Sequence, residues 1–290
     1  MAAKAGEKAQ ENGQPSGQEQ ARGEAREAAP RPIETVRLAG RKTVEARTAK
    51  FTAFIGFSGI SPEGANGPDG FSVRVDGAAD FDKNVSKFTM YMPYAGQMRV
   101  RQIGQDVYLK MPEYVRSRMP YEEEWLRWTT EDAPQGRTGG SSEARSGTPD
   151  DAASGPEYLR EVSNGVEEVG RDWVRGVATT HYRAEISLDR VAERGSRQMQ
   201  ETFREARDDL GLDELPVEAW IDDEGRIRRF NMEISLDTPE LREAGVGEGA
   251  KMTLTEEIYD FGAPVRVVAP KEENTIDAEE AAGRGRENAA

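Results

Sequence analysis

Val217-Glu218-Ala219-Trp220-Ile221-Asp222-Asp223-Glu224-Gly225-Arg226-Ile227-Arg228-Arg229-Phe230-Asn231-Met232-Glu233-Ile234-Ser235-Leu236 is the stretch that decides the fold class. Val217, Ala219 and Ile221 alternate with their neighbours, an acidic turn ending in Gly225 follows, and Phe230, Met232, Ile234 and Leu236 resume the alternation. Successive side chains of a strand point to opposite faces, so period two marks a strand with one buried face. Two such runs across a short turn make an antiparallel hairpin.

The same pattern extends in both directions. Upstream, Tyr182, Ala184, Ile186 and Leu188 alternate with His181, Arg183, Glu185 and Ser187; downstream, Met252, Leu254, Glu256 and Ile258 alternate with Thr253, Thr255, Glu257 and Tyr259. In the first half of the chain the apolar members are Phe71, Val73 and Val75, then Phe88, Met90 and Met92, then Met98 and Val100. Ile103-Gly104-Gln105-Asp106 reads as a hairpin connection, with Val107 and Leu109 opening the return strand. Helical signals are fewer. The clearest is 196–210, where Met199, Phe203, Ala206 and Leu210 fall on one face and Gly211 sits at the cap. Others are Ile33 to Ala49, a turn at Glu113 to Arg118, and Pro156 to Asn164. Eight to ten strands joined by short turns predict an α+β fold, an antiparallel sheet with helices on one face.

The 290 residues carry 39 basic and 54 acidic side chains, a net charge of -15. With no strong basic patch to offset that field, nucleic acid is not an expected partner. Cysteine is absent, which removes disulfides, thiolate nucleophiles and iron-sulfur clusters. No apolar run is long enough to span a bilayer, and Met1 to Gln20 lacks the apolar core of a secretory signal. No aromatic residue precedes Phe51, falls between Trp128 and Tyr158, or follows Phe261. Residues 1–31 therefore read as a disordered polar lead or tether, 32–270 as the domain, 131–155 as a flexible insertion, and 271–290 as a disordered acidic tail.

Little in the chain reads as catalytic machinery. The single histidine, His181, lies on the polar face of its strand and reads as a partly exposed surface residue. Asp222-Asp223-Glu224 lacks calcium-loop spacing and reads as a hairpin turn. Arg226, Arg228 and Arg229 are expected to pair with neighbouring acids. Neither a nucleophile elbow nor a phosphate-binding glycine loop occurs. No metal or cofactor is expected. What remains is an excess of methionine and aromatic residues on one sheet face. Composition leaves two readings of that face open, an ordinary core under the helices or a ligand cavity.

Several stretches together resemble the bacterial LppX and LprG type lipoproteins, whose fold is similar to the LolA and LolB carriers. They are Val169-Gly170-Arg171-Asp172-Trp173-Val174-Arg175-Gly176 leading to Thr179-Thr180-His181-Tyr182, Leu215 to Asp222 with Gly225 to Arg229, and Tyr259-Asp260-Phe261-Gly262 with Ala269-Pro270. Asp106-Val107-Tyr108-Leu109-Lys110-Met111-Pro112 followed by Trp125 or Trp128 fits the same order, and the resemblance spans about 33–270. It implies a strongly curved antiparallel half barrel whose concave face is covered by helices and encloses an apolar cavity. It also implies a carrier of lipid or another apolar small molecule in the cell envelope, without catalytic residues, cofactors or metals. The cavity candidates are Phe71, Val73, Phe88, Met90, Met92, Met98, Val100, Ile186, Met232, Ile234, Met252 and Leu254. Gly77, Gly104 and Gly176 are available for bends.

Members of that family begin with a signal peptide and an acylated cysteine, and this sequence has neither. The expectation is a start lying upstream, with the polar lead as the tether that follows the anchor; the alternative is a soluble relative. The expected protein is a monomeric, extracytoplasmic module, associated with a membrane only through an anchor this chain lacks. Two alternatives stand beside it, a structural or sensor module with a filled core and a hydrolase acting through carboxylates.

Overall fold

The computed structural model describes residues 31–60, 70–129, 159–163, 165–194, 200, 204, 213–243 and 246–287. Five helices and twelve strands are defined among them. The helices are α1 (Pro32–Glu45), α2 (Glu113–Arg116), α3 (Leu188–Arg194), α4 (Pro239–Glu243) and α5 (Ala278–Glu287). The strands are β1 (Thr48–Ser58), β2 (Gly70–Asp80), β3 (Val85–Met92), β4 (Gly96–Ile103), β5 (Asp106–Lys110), β6 (Trp125–Thr129), β7 (Glu167–Val174), β8 (Val177–Ser187), β9 (Glu214–Asp222), β10 (Ile227–Ser235), β11 (Lys251–Tyr259) and β12 (Thr275–Asp277).

All twelve strands form one sheet in the order β12-β6-β5-β4-β3-β2-β1-β11-β10-β9-β8-β7. Every pairing is antiparallel except β12 with β6. The two ends, β7 and β12, do not pair with each other, so the sheet is an open half barrel; a twisted sheet this wide curls rather than staying flat. The α+β class expected from the alternation is the one observed.

Residues opposite each other in an antiparallel pair share a face, so the registers carry one face across the whole sheet. Phe51, Ala53, Ile55 and Phe57 of β1 lie opposite Gly77, Val75, Val73 and Phe71 of β2, and opposite Ile258, Glu256, Leu254 and Met252 of β11. We call this the inner face. Val36 and Ala39 of α1, with Leu159 and Val162, join the buried cluster built on its β8–β11 half. The helix is pinned there by Thr43, whose hydroxyl donates to Ala39 O and accepts from Ile227 N, each at 2.9 Å.

The expected helix over Ile33 to Ala49 is shorter. It ends at Glu45, Arg47 takes φ 67°, and Ala49 already belongs to β1. Phe54 obscured that strand in the sequence, because it is apolar yet points outward and is 47% exposed. The 131–155 insertion, most of the 196–210 helix, residues 156–158 and most of the 1–31 lead lie outside the described residues; Leu159–Glu161 is a 3-10 turn.

The structure differs most at the C-terminus, where an acidic tail was expected from Lys271. A 3-10 turn at Glu272–Asn274 leads into β12, and α5 follows. Two apolar anchors in a mostly solvated composition hold this segment, Ile276 and Ala281, both buried. The Arg127 guanidinium also grips Asp277 with two hydrogen bonds of 2.8 and 3.0 Å. The strap between β11 and β12 crosses the outer face, where Lys87 Nζ donates to Arg266 O at 3.0 Å and Arg101 to Val268 O at 2.8 Å.

Candidate functional site

On the inner face of β1 to β4 and β11, exposure changes from one end of the strands to the other, whereas Met232 and Ile234 of β10 stay buried. Near the β3–β4 turn Ile55, Phe57, Phe71, Val73, Met90, Met92, Met98, Met252 and Leu254 are all half-buried. One or two rungs further along, Phe51, Val75, Phe88, Val100, Phe230 and Ile258 are buried. Phe57 faces Phe71 and Met252, Ile55 faces Val73 and Leu254, and Met90 faces Met98 on one side and buried Val75 on the other. The Phe57 and Phe71 rings stack with centroids 4.7 Å apart. Nine apolar side chains of this face are thus incompletely covered, although Val73, Met90 and Leu254 pack against the cluster around Phe51 and Phe88, and Met252 against the one under α1.

All twelve candidates from the sequence lie on this one face. They separate by burial. Ile186, Met232 and Ile234 belong to the buried cluster under α1, while Phe88 and Val100 belong to a second cluster with Phe51, Val75 and Val107. Phe71, Val73, Met90, Met92, Met98, Met252 and Leu254 make the half-buried patch, and Leu254 touches both clusters. Sequence reading missed Ile55 and Phe57, whose alternation is interrupted by outward Phe54.

One polar residue breaks the apolar face. Glu256 lies opposite Ala53 and Phe230, one rung inside Leu254, and is 3% exposed. Its Oε1 is buried without a hydrogen-bond partner. Burial pushes the carboxyl up to about 8, so it is a neutral acid at pH 7.

The outer face is polar, and the charges around the β9–β10 turn are paired. Asp222 closes the β9–β10 turn, its Oδ1 accepting from Glu224 N and Arg226 N at 3.0 and 2.9 Å and its Oδ2 from Arg228 Nε at 2.7 Å. Burial alone would raise the Asp222 carboxyl, but these donors and the two guanidinium charges bring it below the ordinary range. Arg229 pairs with Glu257 at 2.6 Å. The arginine triplet therefore pairs with neighbouring acids as expected. His181 stacks on Trp220 with centroids 4.1 Å apart, and its Nε2 lies 3.3 Å from Glu218. A groove of about 320 Å³ beside it is of mixed character, with Arg183, Glu218 and Asn231 on its lining alongside Val217, Met232 and Leu254.

Of the three glycines expected at bends, Gly104 and Gly176 instead occupy hairpin turns, with φ of 62° and 77°. Gly77 lies under a phenyl ring of β1.

Among solved structures the chain is similar to LppX of Mycobacterium tuberculosis, at 12% identity and a TM-score of 0.45 over 81% of this chain and 99% of that one. LprF of Mycobacterium bovis aligns at 13% identity and a TM-score of 0.47, over 83% of this chain and 98% of that one. A LolA superfamily protein of Nitrosomonas europaea aligns at 9% identity and a TM-score of 0.30, over 81% and 94%. At these identities the likeness is one of fold alone. No protein-family model and no curated protein matches the sequence.

Proposed function

We propose that this protein is a non-enzymatic, extracytoplasmic envelope module that holds a lipid or other apolar ligand against the inner face of its sheet. The observation that carries the reading is the uneven cover of that face: the ends of β1 to β4 and β11 nearest the β3–β4 turn are half-buried, while Met232 and Ile234 on the same rungs of β10 are buried. A face meant only as core would be covered throughout, because exposed apolar area costs roughly 25 cal/mol per Å². Methionine supplies four of the nine half-buried side chains, Met90, Met92, Met98 and Met252, and its flexible thioether adapts to ligands of irregular shape. The family resemblance of the sequence points to the same ligand class. None of the helices described is long and apolar enough to cross a membrane.

The ligand is then lined by Phe71, Val73, Met90, Met92, Met98, Met252 and Leu254, while Ile186, Met232 and Ile234 complete the core behind it. Native mass spectrometry of the purified protein should find co-purifying lipid. Met90→Arg should fold, its guanidinium reaching water along an apolar stem, and should lose binding of a fluorescent acyl probe. Ile234→Arg should instead lose folding. A parent protein that neither carries lipid nor binds the probe would leave a filled-core module as the function.

A further inference from the structure

Glu256 is costly where it stands. It follows Met252 and Leu254 on the inward side of β11 and precedes Ile258, so an apolar residue would continue the pattern. The residues facing it across the sheet are Ala53 and Phe230, with Val75 and Ala219 one strand further out. None is charged, and no charged group among the described residues faces it from β1, β2, β9 or β10. Buried polar atoms in folded proteins nearly always have a hydrogen-bond partner, and an orphan calls for a specific reason. Oε1 has none within the chain.

The position supplies the reason. Glu256 sits one rung inside the half-buried patch, where the deep end of a molecule lying on that patch would arrive. A neutral carboxylic acid offers one O–H donor and a carbonyl acceptor. We infer that Glu256 is the polar anchor of the ligand site, donating a hydrogen bond to the carbonyl oxygen of an acyl chain that enters carbonyl first. This rests on the ligand-holding reading above and adds the ligand's chemistry and orientation to it. Of the two residues directly opposite the carboxyl, Ala53 on β1 is small, and so is Ala219 on β9, two strands away. Burial keeps the proton on the carboxyl at neutral pH, so the donor is available without a charge being desolvated.

The test uses the full chain and three fluorescent probes: parinaric acid, its methyl ester, and the hydrocarbon diphenylhexatriene. Glu256→Leu should bind both carbonyl probes about tenfold more weakly, the scale of one lost hydrogen bond, and should bind the hydrocarbon as the parent does. Glu256→Gln keeps an N–H donor and should stay within about threefold of the parent. Loss of the acid alone assigns free fatty acids, and loss of both assigns esters as well. In the parent, methyl ester affinity should fall above pH 8 while hydrocarbon affinity holds, a measurement independent of any variant's folding. Unchanged carbonyl binding in Glu256→Leu, or an equal loss for the hydrocarbon, would overturn the anchor and leave the carrier reading standing. A parent that binds none of the three probes would overturn both.

Discussion

The ring of Phe51 occupies the space that a side chain on Gly77 would need. The two residues face each other across β1 and β2, and a Cβ on Gly77 would collide with Cζ of the Phe51 ring. Gly77→Ala should therefore displace the ring and cost about 1–3 kcal/mol, the usual range for overpacking. Urea unfolding measures it, and the double variant with Phe51→Leu should recover most of the loss. An alanine variant as stable as the parent would show that β1 and β2 move apart easily here.

Glu256 gives a stability signature independent of any ligand. Its carboxyl lies near 8 in the folded protein, against the ordinary 4.5 of an unfolded glutamate. The stability it permits is complete below the lower value and is lost as pH rises through the higher one, since only the unfolded chain ionises in between. Glu256→Gln does not titrate. The variant should therefore gain on the parent by about 1.4 kcal/mol per pH unit between roughly pH 5 and 8, levelling off above. Urea melts at pH 5, 6.5 and 8.5 test this; a constant gap would show that the acid is ionised throughout.

Asp222 holds Arg226 and Arg228, whose side chains are only 16% and 13% exposed. Asp222→Ala would leave two largely covered guanidiniums without their shared partner, and a loss of about 3–5 kcal/mol is expected. The carboxyl lies below its ordinary value in the folded chain, so its contribution is present near pH 7 and lost as pH falls below about 4. An acid unfolding midpoint shared by parent and variant would contradict this.

Ile276 anchors β12 to β6. Ile276→Asp should release the segment from about residue 272 onward, seen as fast amide exchange in β6 and cleavage near Lys271. Asp277→Asn should do far less, since its ion pair with Arg127 is half exposed and such pairs are worth under about 1 kcal/mol.

Much of this architecture was legible because most inward residues alternate with polar ones. The hairpins at 103–106 and 222–227 could be placed from their turns, and the inward set on β2, β3, β4, β10 and β11 from periodicity alone. The failures share a cause, a local pattern too short or too mixed to stand out. Phe54 turned β1 into an apparently continuous apolar run, and β12 is three residues long with one buried side chain. Glu256 was visible as the acid in an apolar alternation. Its meaning was hidden, because the residues opposite it come from a strand the pattern did not reveal and from one about 25 positions away in sequence.

The seam between β1 and β11 sets an order of events during synthesis. β1 to β6 are consecutive antiparallel neighbours, as are β7 to β11, so each series can zip up as its own residues leave the ribosome. Only the ladder from Lys50–Tyr259 to Ser58–Lys251 joins them, and its partners are about 200 residues apart. Until Tyr259 emerges, β1 must wait with one edge unpaired and the apolar rungs of Phe51 and Ala53 incompletely covered. Closing so large a loop is entropically slow. The nascent chain is thus most vulnerable to aggregation, and most in need of a chaperone, in the interval between completing β6 and completing β11.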